Sequence, residues 1–294
     1  MSGQLKEVRL RIASVQSTQQ ITKAMKMVSA AKLRRAQDAI TLMRPYAQKL
    51  QDMLGNIVSN GESDNAGSSL TAVRPITNAL IIVITSDRGL CGGYNSNLIK
   101  IAKQVIANKY STLQNNGKIT IWTIGKKGFE HFSKNGYNTK DTFKDIFLNL
   151  NFENVQACAQ AAITAFETGE FDAVEVVYSE FKNAASQEFI AEAFLPIPKI
   201  EKKTGAKNAD FIFEPNREDL ITELMPKILN TQLYKAVLDC NASEHGARMT
   251  AMDKASENAN EILKALKISY NRARQAAITT ELTEIVSGAA ALQG

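Results

Sequence analysis

ASENANEILKALKISYNRARQAAITTELTEIVSG, residues 255–288, decides the architecture. Ala255, Ala259, Ile262, Leu266, Tyr270, Ala273 and Ala277 follow one another in steps of 4, 3, 4, 4, 3 and 4. That spacing keeps one helical face apolar over about six turns. Working back from this stretch, Leu224, Ile228, Leu233 and Val237 continue the helical pattern. Between Arg217 and Ser287 the only breakers are Pro226, near the start, and Gly246. A continuous helix of about 70 residues is roughly 105 Å long at 1.5 Å per residue. A compact domain of this size cannot bury such a rod, so it must lie against another long helix or project into a partner.

The chain has 294 residues, enough for one large domain or two ordinary ones, and 44% are hydrophobic, enough to build a core. The formal charge of +5 is modest, but it is unevenly spread. No acidic residue lies between Glu7 and Asp38, while Arg9, Arg11, Lys23, Lys26, Lys32, Arg34 and Arg35 are basic. Such a stripe suggests an acidic protein surface, nucleic acid or anionic lipid as partner, or else a solvated helix face. Cys91, Cys158 and Cys240 are far apart, odd in number and without metal-ligand spacing, which points to a reducing compartment. No apolar run is long enough to span a bilayer. The N-terminal residues lack the features of a signal or transit peptide, so any membrane association is expected to come through a partner.

A second long helix is predicted over residues 4–57. With Leu5 at heptad position a, the a series is Leu5, Ile12, Gln19, Lys26, Leu33, Ile40, Ala47 and Leu54. The d series is Val8, Val15, Thr22, Ser29, Ala36, Met43, Leu50 and Ile57. The ends of this seam are apolar, as a coiled coil requires. Its middle is polar at Gln19, Thr22, Lys26 and Ser29, where the apolar residues move to Ile21, Met25 and Val28. Either the helix is re-phased there, or this segment packs on something other than its coiled-coil mate. Pro45 is expected to bend the helix slightly.

The sequence divides into an N-terminal coiled-coil helix (1–58), a Gly/Ser-rich linker (59–75), an α/β domain (76–198), a connector (199–215) and a C-terminal coiled-coil helix (216–294). Within the α/β part, strands are expected at Ala79–Thr85, Lys118–Ile124, Asp172–Phe181 and Gln187–Leu195, the last two as a near-hairpin. Helices are expected after Asn95, around Lys127–Lys134 and over Asn154–Phe166. The alternation implies an open sheet, parallel in its first part. The simplest assembly is a long antiparallel helical coiled coil, formed by the chain's two ends, around a Rossmann-like α/β insert. The C-terminal helix is longer by about 17 residues, which leaves roughly 25 Å of it without a mate or shared with the insert.

Ser86-Asp-Arg-Gly-Leu-Cys-Gly-Gly-Tyr-Asn95 follows a strand and opens a helix, where phosphate-binding loops sit. It matches neither G-x-G-x-x-G nor G-x-x-x-x-G-K-[ST], and no Lys with Ser or Thr follows its last glycine to hold phosphate and Mg²⁺. A tight turn whose glycines permit positive φ explains it as well. Cys91, with Arg88 nearby, is a candidate reactive thiol. His131 and His245 are isolated, so neither a Cys–His pair nor a metal site is implied. Trp122 lies in a strand and reads as core. At the far end, residues 271–292 carry almost no net charge and finish in small apolar residues. A free helix tip is normally polar, so this end is expected either to enter a hydrophobic collar on a partner or to fold back on the α/β domain.

Three stretches carry a resemblance that covers the whole chain: Ile21-Thr-Lys-Ala-Met-Lys-Met-Val-Ser-Ala-Ala-Lys-Leu-Arg-Arg35, the Ser86–Asn95 turn, and Ala242–Leu292 with its segments Ala247-Arg-Met-Thr-Ala-Met-Asp-Lys-Ala255 and Tyr270–Ala290. The chain resembles the gamma subunits of bacterial F-type ATP synthases. The resemblance implies a central-stalk rotor with no catalytic residues, no metal and no cofactor of its own. It implies alpha and beta subunits in a ring around the coiled coil, an epsilon subunit and a membrane-embedded c-ring at the foot, and one copy per complex. No nucleic acid is implied. Membrane contact comes only through partners, at the cytoplasmic face of the bacterial inner membrane. Proton flow would turn the shaft, whose different faces set the states of the beta subunits.

Carried onto this sequence, the alpha/beta-facing residues would be Arg9, Lys23, Met25, Lys26, Arg35, Arg272, Arg274, Gln275, Glu281, Ile285, Val286 and Leu292. The polar interruption Gln19–Ser29 would meet the moving beta domains rather than its own mate. Arg88, Gly89, Gly92 and Gly93 would form an interface turn near the foot. The regulatory cysteine pair of chloroplast relatives has no counterpart in Lys182–Pro215. Two rival readings stand beside this one: a nucleotide-binding α/β enzyme with a coiled-coil oligomerisation arm, and a basic coiled-coil nucleic-acid binder.

Overall fold

The computed structural model describes residues 2–59, 69–184, 186–197 and 217–293. Most of the expected 59–75 linker and all of the 199–215 connector lie outside the described residues, as does the side chain of Leu292. The chain separates into two compact units: residues 1–29 with 248–294, and residues 30–247. Helix α1 (Ser2–Ser59) and helix α6 (Arg217–Gln293) each contribute to both.

The unit of residues 30–247 is built on a five-stranded sheet of order β3-β2-β1-β4-β5. Strand β1 (Ala79–Ile84) reads ALIIVI and is fully buried along its length. A run of that kind suits a central parallel strand covered on both faces. It pairs in parallel with β2 (Ile119–Ile124) on one side and with β4 (Ala173–Phe181) on the other. Strand β5 (Gln187–Leu195) returns antiparallel along β4, as the near-hairpin reading expected. The three-residue β3 (Asn138–Lys140) extends the other edge in parallel. The sequence reading missed it because Asn138, Thr139 and Lys140 bury little.

Side chains alternate across β1 with the period of a strand. Leu80, Ile82 and Ile84 join a core with Val155, Cys158, Ala162 and Phe166 of α5 (Phe152–Glu167) and Leu229, Leu233 and Val237 of α6. Ala79, Ile81 and Val83 join a second core with Leu98, Ala102 and Ile106 of α2 (Tyr94–Lys109) and Phe132 of α4 (Lys126–Lys134). A short helix, α3 (Ser111–Asn115), follows α2. The result is a sheet between two helical layers, with α6 packed on it as a structural helix. Trp122 is core, in tilted and edge contacts with Phe143 and Phe171.

In the unit of residues 1–29 and 248–294 the two long helices run antiparallel. Thr22 Oγ1 and Ser256 Oγ are hydrogen-bonded at 2.7 Å, and Lys26 Nζ meets Asp253 Oδ1 at 2.5 Å. Residue numbers fall on α6 as they rise on α1. Along α1, residues 5, 8, 12, 15, 19, 22, 26 and 29 are the shielded ones, together with Met25. This is the heptad register with Leu5 at position a, held without a break.

That overturns the expectation for the polar interruption. Gln19, Thr22, Lys26 and Ser29 are not re-phased and do not turn away from the mate: they are the seam. Ile21 and Val28, both 57% exposed, are what faces outward. On α6 the predicted series Ala255, Ala259, Leu266, Tyr270, Ala273 and Ala277 is shielded, together with Met252 and Ser256; only Ile262, 47% exposed, departs from it, and Leu263 is buried in its place.

The turn from β2 into α4 passes close to the end of β1 at Gly125, whose φ is 103°. A Cβ there would stand 2.3 Å from the Thr85 carbonyl oxygen. Gly136 also has positive φ, 75°, but its Cβ would meet nothing within 4 Å. Gly125→Ala should therefore destabilise by about 3 kcal/mol or more, and Gly136→Ala by only about 1 kcal/mol. Denaturant unfolding of the two variants measures the difference, and equal losses would contradict the close approach.

Candidate functional site

Two places could carry function: the carboxyl end of the sheet, where the glycine turn lies, and the exposed faces of the helical seam. In a doubly wound sheet the ligand crevice opens at the carboxyl ends of strands whose connections leave in opposite directions. Here those strands are β1 and β4.

The turn after β1 is tied up by its own side chains. Asn95 Oδ1 accepts from the Ser86 N–H at 3.0 Å, and Asn95 Nδ2 donates to Ser86 Oγ at 2.7 Å and to Cys91 Sγ at 3.3 Å. Leu90 and Gly92 take left-handed backbone conformations, with φ of 62° and 60°. The first N–H groups of α4, which could have held a phosphate, are already engaged. Lys126 N–H donates to Asp87 Oδ1, Lys127 N–H to the Ser86 carbonyl, and Gly128 N–H to Thr85 Oγ1.

The crevice itself is filled by α6. Cys240 Sγ accepts from the Ser179 N–H of β4 at 3.2 Å, and the Tyr94 hydroxyl donates to the Cys240 carbonyl at 3.1 Å. Ser243 Oγ donates to the Ser179 carbonyl at 3.4 Å. At Gly246 a Cβ would stand 3.1 Å from the Ala184 carbonyl oxygen, so this glycine lets the helix pass close to the end of β4. Burial pushes the Cys240 thiol up to about 12 and raises the Cys158 thiol as well. Neither is a nucleophile at neutral pH. Cys91, the candidate reactive thiol, is buried inside the turn's hydrogen-bond network. Among the described residues no group of His, Cys, Asp and Glu could hold a metal ion.

The structure distributes the sequence-derived interface residues unevenly. Arg9, Lys23, Arg272, Arg274, Gln275, Glu281, Ile285 and Val286 are exposed on the helical unit, and Met25 is half-buried beside the seam. Lys26 is not an outward cation, because it spans the seam to Asp253. Arg35 is exposed on the part of α1 that belongs with the sheet. Arg88, Gly92 and Gly93 are exposed on the turn and Gly89 is half-buried.

By the pairing of Thr22 with Ser256 and Lys26 with Asp253, Ser2 lies level with residue 276 or 277. Roughly the last 17 residues of α6, about 25 Å, run on past the start of α1. Every residue from Glu281 to Ala291 is exposed. Ile278, Leu282 and Ile285 follow in steps of four and three, with Val286 beside them, at 48%, 57%, 67% and 67% exposure. They form an apolar stripe that nothing in the chain covers among the described residues. No described helix is long and apolar enough to cross a membrane.

Comparison with known proteins agrees with this architecture. The ATP synthase family model matches residues 4–292. The ATP synthase gamma chain of Cytophaga hutchinsonii is 53% identical over 291 residues, covering 98% of each chain. That of Chlorobium phaeobacteroides is 48% identical over 292 residues, covering 99% of each. Among solved structures, a chain of the Euglena gracilis mitochondrial ATP synthase (OSCP/F1/c-ring, rotational state 3) superposes with a TM-score of 0.69 at 21% identity, covering 99% of this chain and 95% of that one. The sealed crevice, the antiparallel seam and full-length relatives near half identity lead to one assignment: the chain belongs to the ATP synthase gamma chain family.

Proposed function

We propose that this chain is the central-stalk rotor subunit of a proton-translocating F-type ATP synthase, coupling c-ring rotation to conformational change at catalytic beta subunits. The observation that carries the reading is the bare apolar stripe Ile278–Val286 on a helix that outruns its mate. A stripe of that size on a free end needs a partner surface, and a collar in a ring of alpha and beta subunits supplies one. The chain itself is not an enzyme. Its partners are the alpha and beta subunits, an epsilon subunit and the c-ring, with one copy per complex. It sits peripherally at the cytoplasmic face of the bacterial inner membrane.

Residues 1–58 and 216–294 serve as the shaft and residues 76–198 as the foot. Arg9, Lys23, Arg35, Arg272 and Arg274 offer exposed cations to carboxylates of the ring. Weak, screened pairs of this kind can break and re-form as the shaft turns. Met25, Gln275, Glu281, Ile285, Val286 and Leu292 complete the ring-facing set. Arg88, Gly89, Gly92 and Gly93 form a contact turn at the foot. Lys26 leaves the ring-facing set, since its ammonium is held by Asp253.

The rival reading, a nucleotide-binding α/β enzyme, requires space at the carboxyl end of β1. Cys240, Ser243 and Gly246 occupy that space.

Deleting residues 287–294 should leave ATP hydrolysis by the assembled complex present but slower or less completely assembled, since it removes contacts and no chemistry. Complete loss of hydrolysis in a complex that still assembles would contradict the collar role. Replacing Arg9, Lys23 and Arg35 together by Ala should reduce proton-driven ATP synthesis more than assembly, read from inverted vesicles and from subunit stoichiometry by intact-complex mass spectrometry. Equal loss of both would count against a coupling role. The isolated chain should bind no labelled ATP at millimolar concentration, and saturable binding would restore the enzyme reading.

A further inference from the structure

In the unit of residues 30–247, α1, β4 and α6 enclose a cleft of about 560 Å³ lined by Arg44, Pro45, Gln48, Glu180, Lys182, Lys235 and Asp239. Asp239 is 1% exposed, and neither of its carboxyl oxygens has a hydrogen-bond partner. The Phe181 amide lies near enough to favour the charged form but closes no bond of ordinary geometry. A buried carboxyl left this way is costly once ionised. Its surroundings hold the means of relief. Arg44 faces it from α1, and Lys235 faces it from one turn earlier on α6.

From β4 come Tyr178, Glu180 and Lys182, and beside Asp239 on α6 lies Cys240. The Tyr178 hydroxyl faces Glu192, and burial keeps it neutral. Lys182 is engaged by Glu180 at 2.9 Å and by Glu188 of β5 at 3.5 Å. Cys240 stays a thiol. Arg44 and Lys235 are therefore the cations available to Asp239, and neither has closed onto it.

We propose that Asp239 is a proton-binding site that works a clasp between the first and last helices: protonated, it rests neutral in the cleft wall, and on losing its proton it draws the Arg44 guanidinium across the cleft into an ion pair. Arg44 is assigned the role over Lys235 for two reasons. A planar guanidinium can take both carboxylate oxygens at once. It also stands beside Pro45, whose missing N–H removes one backbone bond from that turn of α1 and leaves it freer to shift. Closing the pair joins α1 to α6 within this unit, whereas a pair with Lys235 stays inside one helix.

The sign of the pH dependence is fixed by the environment. Burial, opposed by Lys235 and Arg44, raises the Asp239 carboxyl from 3.8 to about 6. The folded state binds this proton more tightly than the unfolded chain, so the contribution is fully present below 3.8 and is lost as pH rises through 6. The test is a denaturant-unfolding double-mutant cycle on the full chain at pH 5 and pH 8, with Arg44→Gln, Asp239→Asn and both together, and a parallel cycle with Lys235→Gln.

Relative to the matching Asp239→Asn variants, Arg44→Gln should lose roughly tenfold in its folded-to-unfolded ratio between pH 5 and pH 8, and the wild type only about twofold, because the clasp offsets most of the cost of ionising Asp239. At pH 8 the Arg44–Asp239 pair should show a coupling of about tenfold in that ratio. At pH 5 the coupling should fall within about twofold of none. Coupling that is absent at pH 8, equal at both pH values, or carried by Lys235 instead would overturn the clasp. If Asp239→Asn does not fold, Arg44→Gln alone decides: it should destabilise at pH 8 and not at pH 5, and a pH-independent effect would overturn the proposal.

Discussion

Everything in the sheet unit depends on α6 occupying the crevice at the carboxyl ends of β1 and β4. A doubly wound sheet brings free N–H groups and helix starts together at that edge, which is why such folds bind phosphates there. In this chain the same groups are spent internally. Cys240 is small enough to let the helix approach and polar enough for its sulfur to accept the Ser179 amide, and Gly246 removes the last obstacle beside Ala184. The three N–H groups that open α4 are held by Asp87, Ser86 and Thr85. A fold that elsewhere presents a ligand site thus becomes a mounting for a helix. The turn that most looks like chemistry in the sequence is the collar of that mounting.

The helical unit follows a different rule. Its seam is apolar at Leu5, Val8, Ile12 and Val15 and polar at Gln19, Thr22, Lys26 and Ser29, yet the heptad phase does not change. A polar seam buries less apolar area and is weaker for it. In return, the Thr22–Ser256 and Lys26–Asp253 contacts exist in one register only, and polar residues at seam positions are the best-attested means of fixing register in coiled coils. The Lys26–Asp253 pair is 41% and 48% exposed, so its contribution to stability is small, about 1 kcal/mol or less. Its effect lies in alignment.

Much of this was legible in the residues. The steps of three and four over Ala255–Ala277 give the long helix, ALIIVI at Ala79–Ile84 gives the buried strand, and the near-hairpin of β4 and β5 follows from two nine-residue runs. Four things were not legible. Strand β3 has no apolar signature, because an edge strand of three residues needs none. The polar seam was misread because periodicity locates apolar residues, and here Ile21 and Val28 lie outside it. The partner of Lys26 lies 227 residues away, and no local pattern announces such a pair. Asp239 escaped notice for the same reason: its environment is assembled from α1, β4 and α6, and in sequence it is one more carboxylate on a helix.

The polar seam also bears on how a rod without catalytic groups can act. A shaft transmits only what its faces distinguish, because a partner can be biased only by contacts that differ between states. Had Ile21 and Val28 been used in the seam, Lys26 would have turned outward to join the exposed cations Arg9 and Lys23. With Gln19, Thr22, Lys26 and Ser29 turned inward, the outside is differentiated instead. Ile21 and Val28 repeat one heptad apart on one line, Arg9 and Lys23 lie two heptads apart on a second, and Met25 sits on the opposite flank of the seam. The residues that weaken the coiled coil are therefore the ones that give its surface an apolar line and a cationic line, and in the proposed role that difference between faces is the working part.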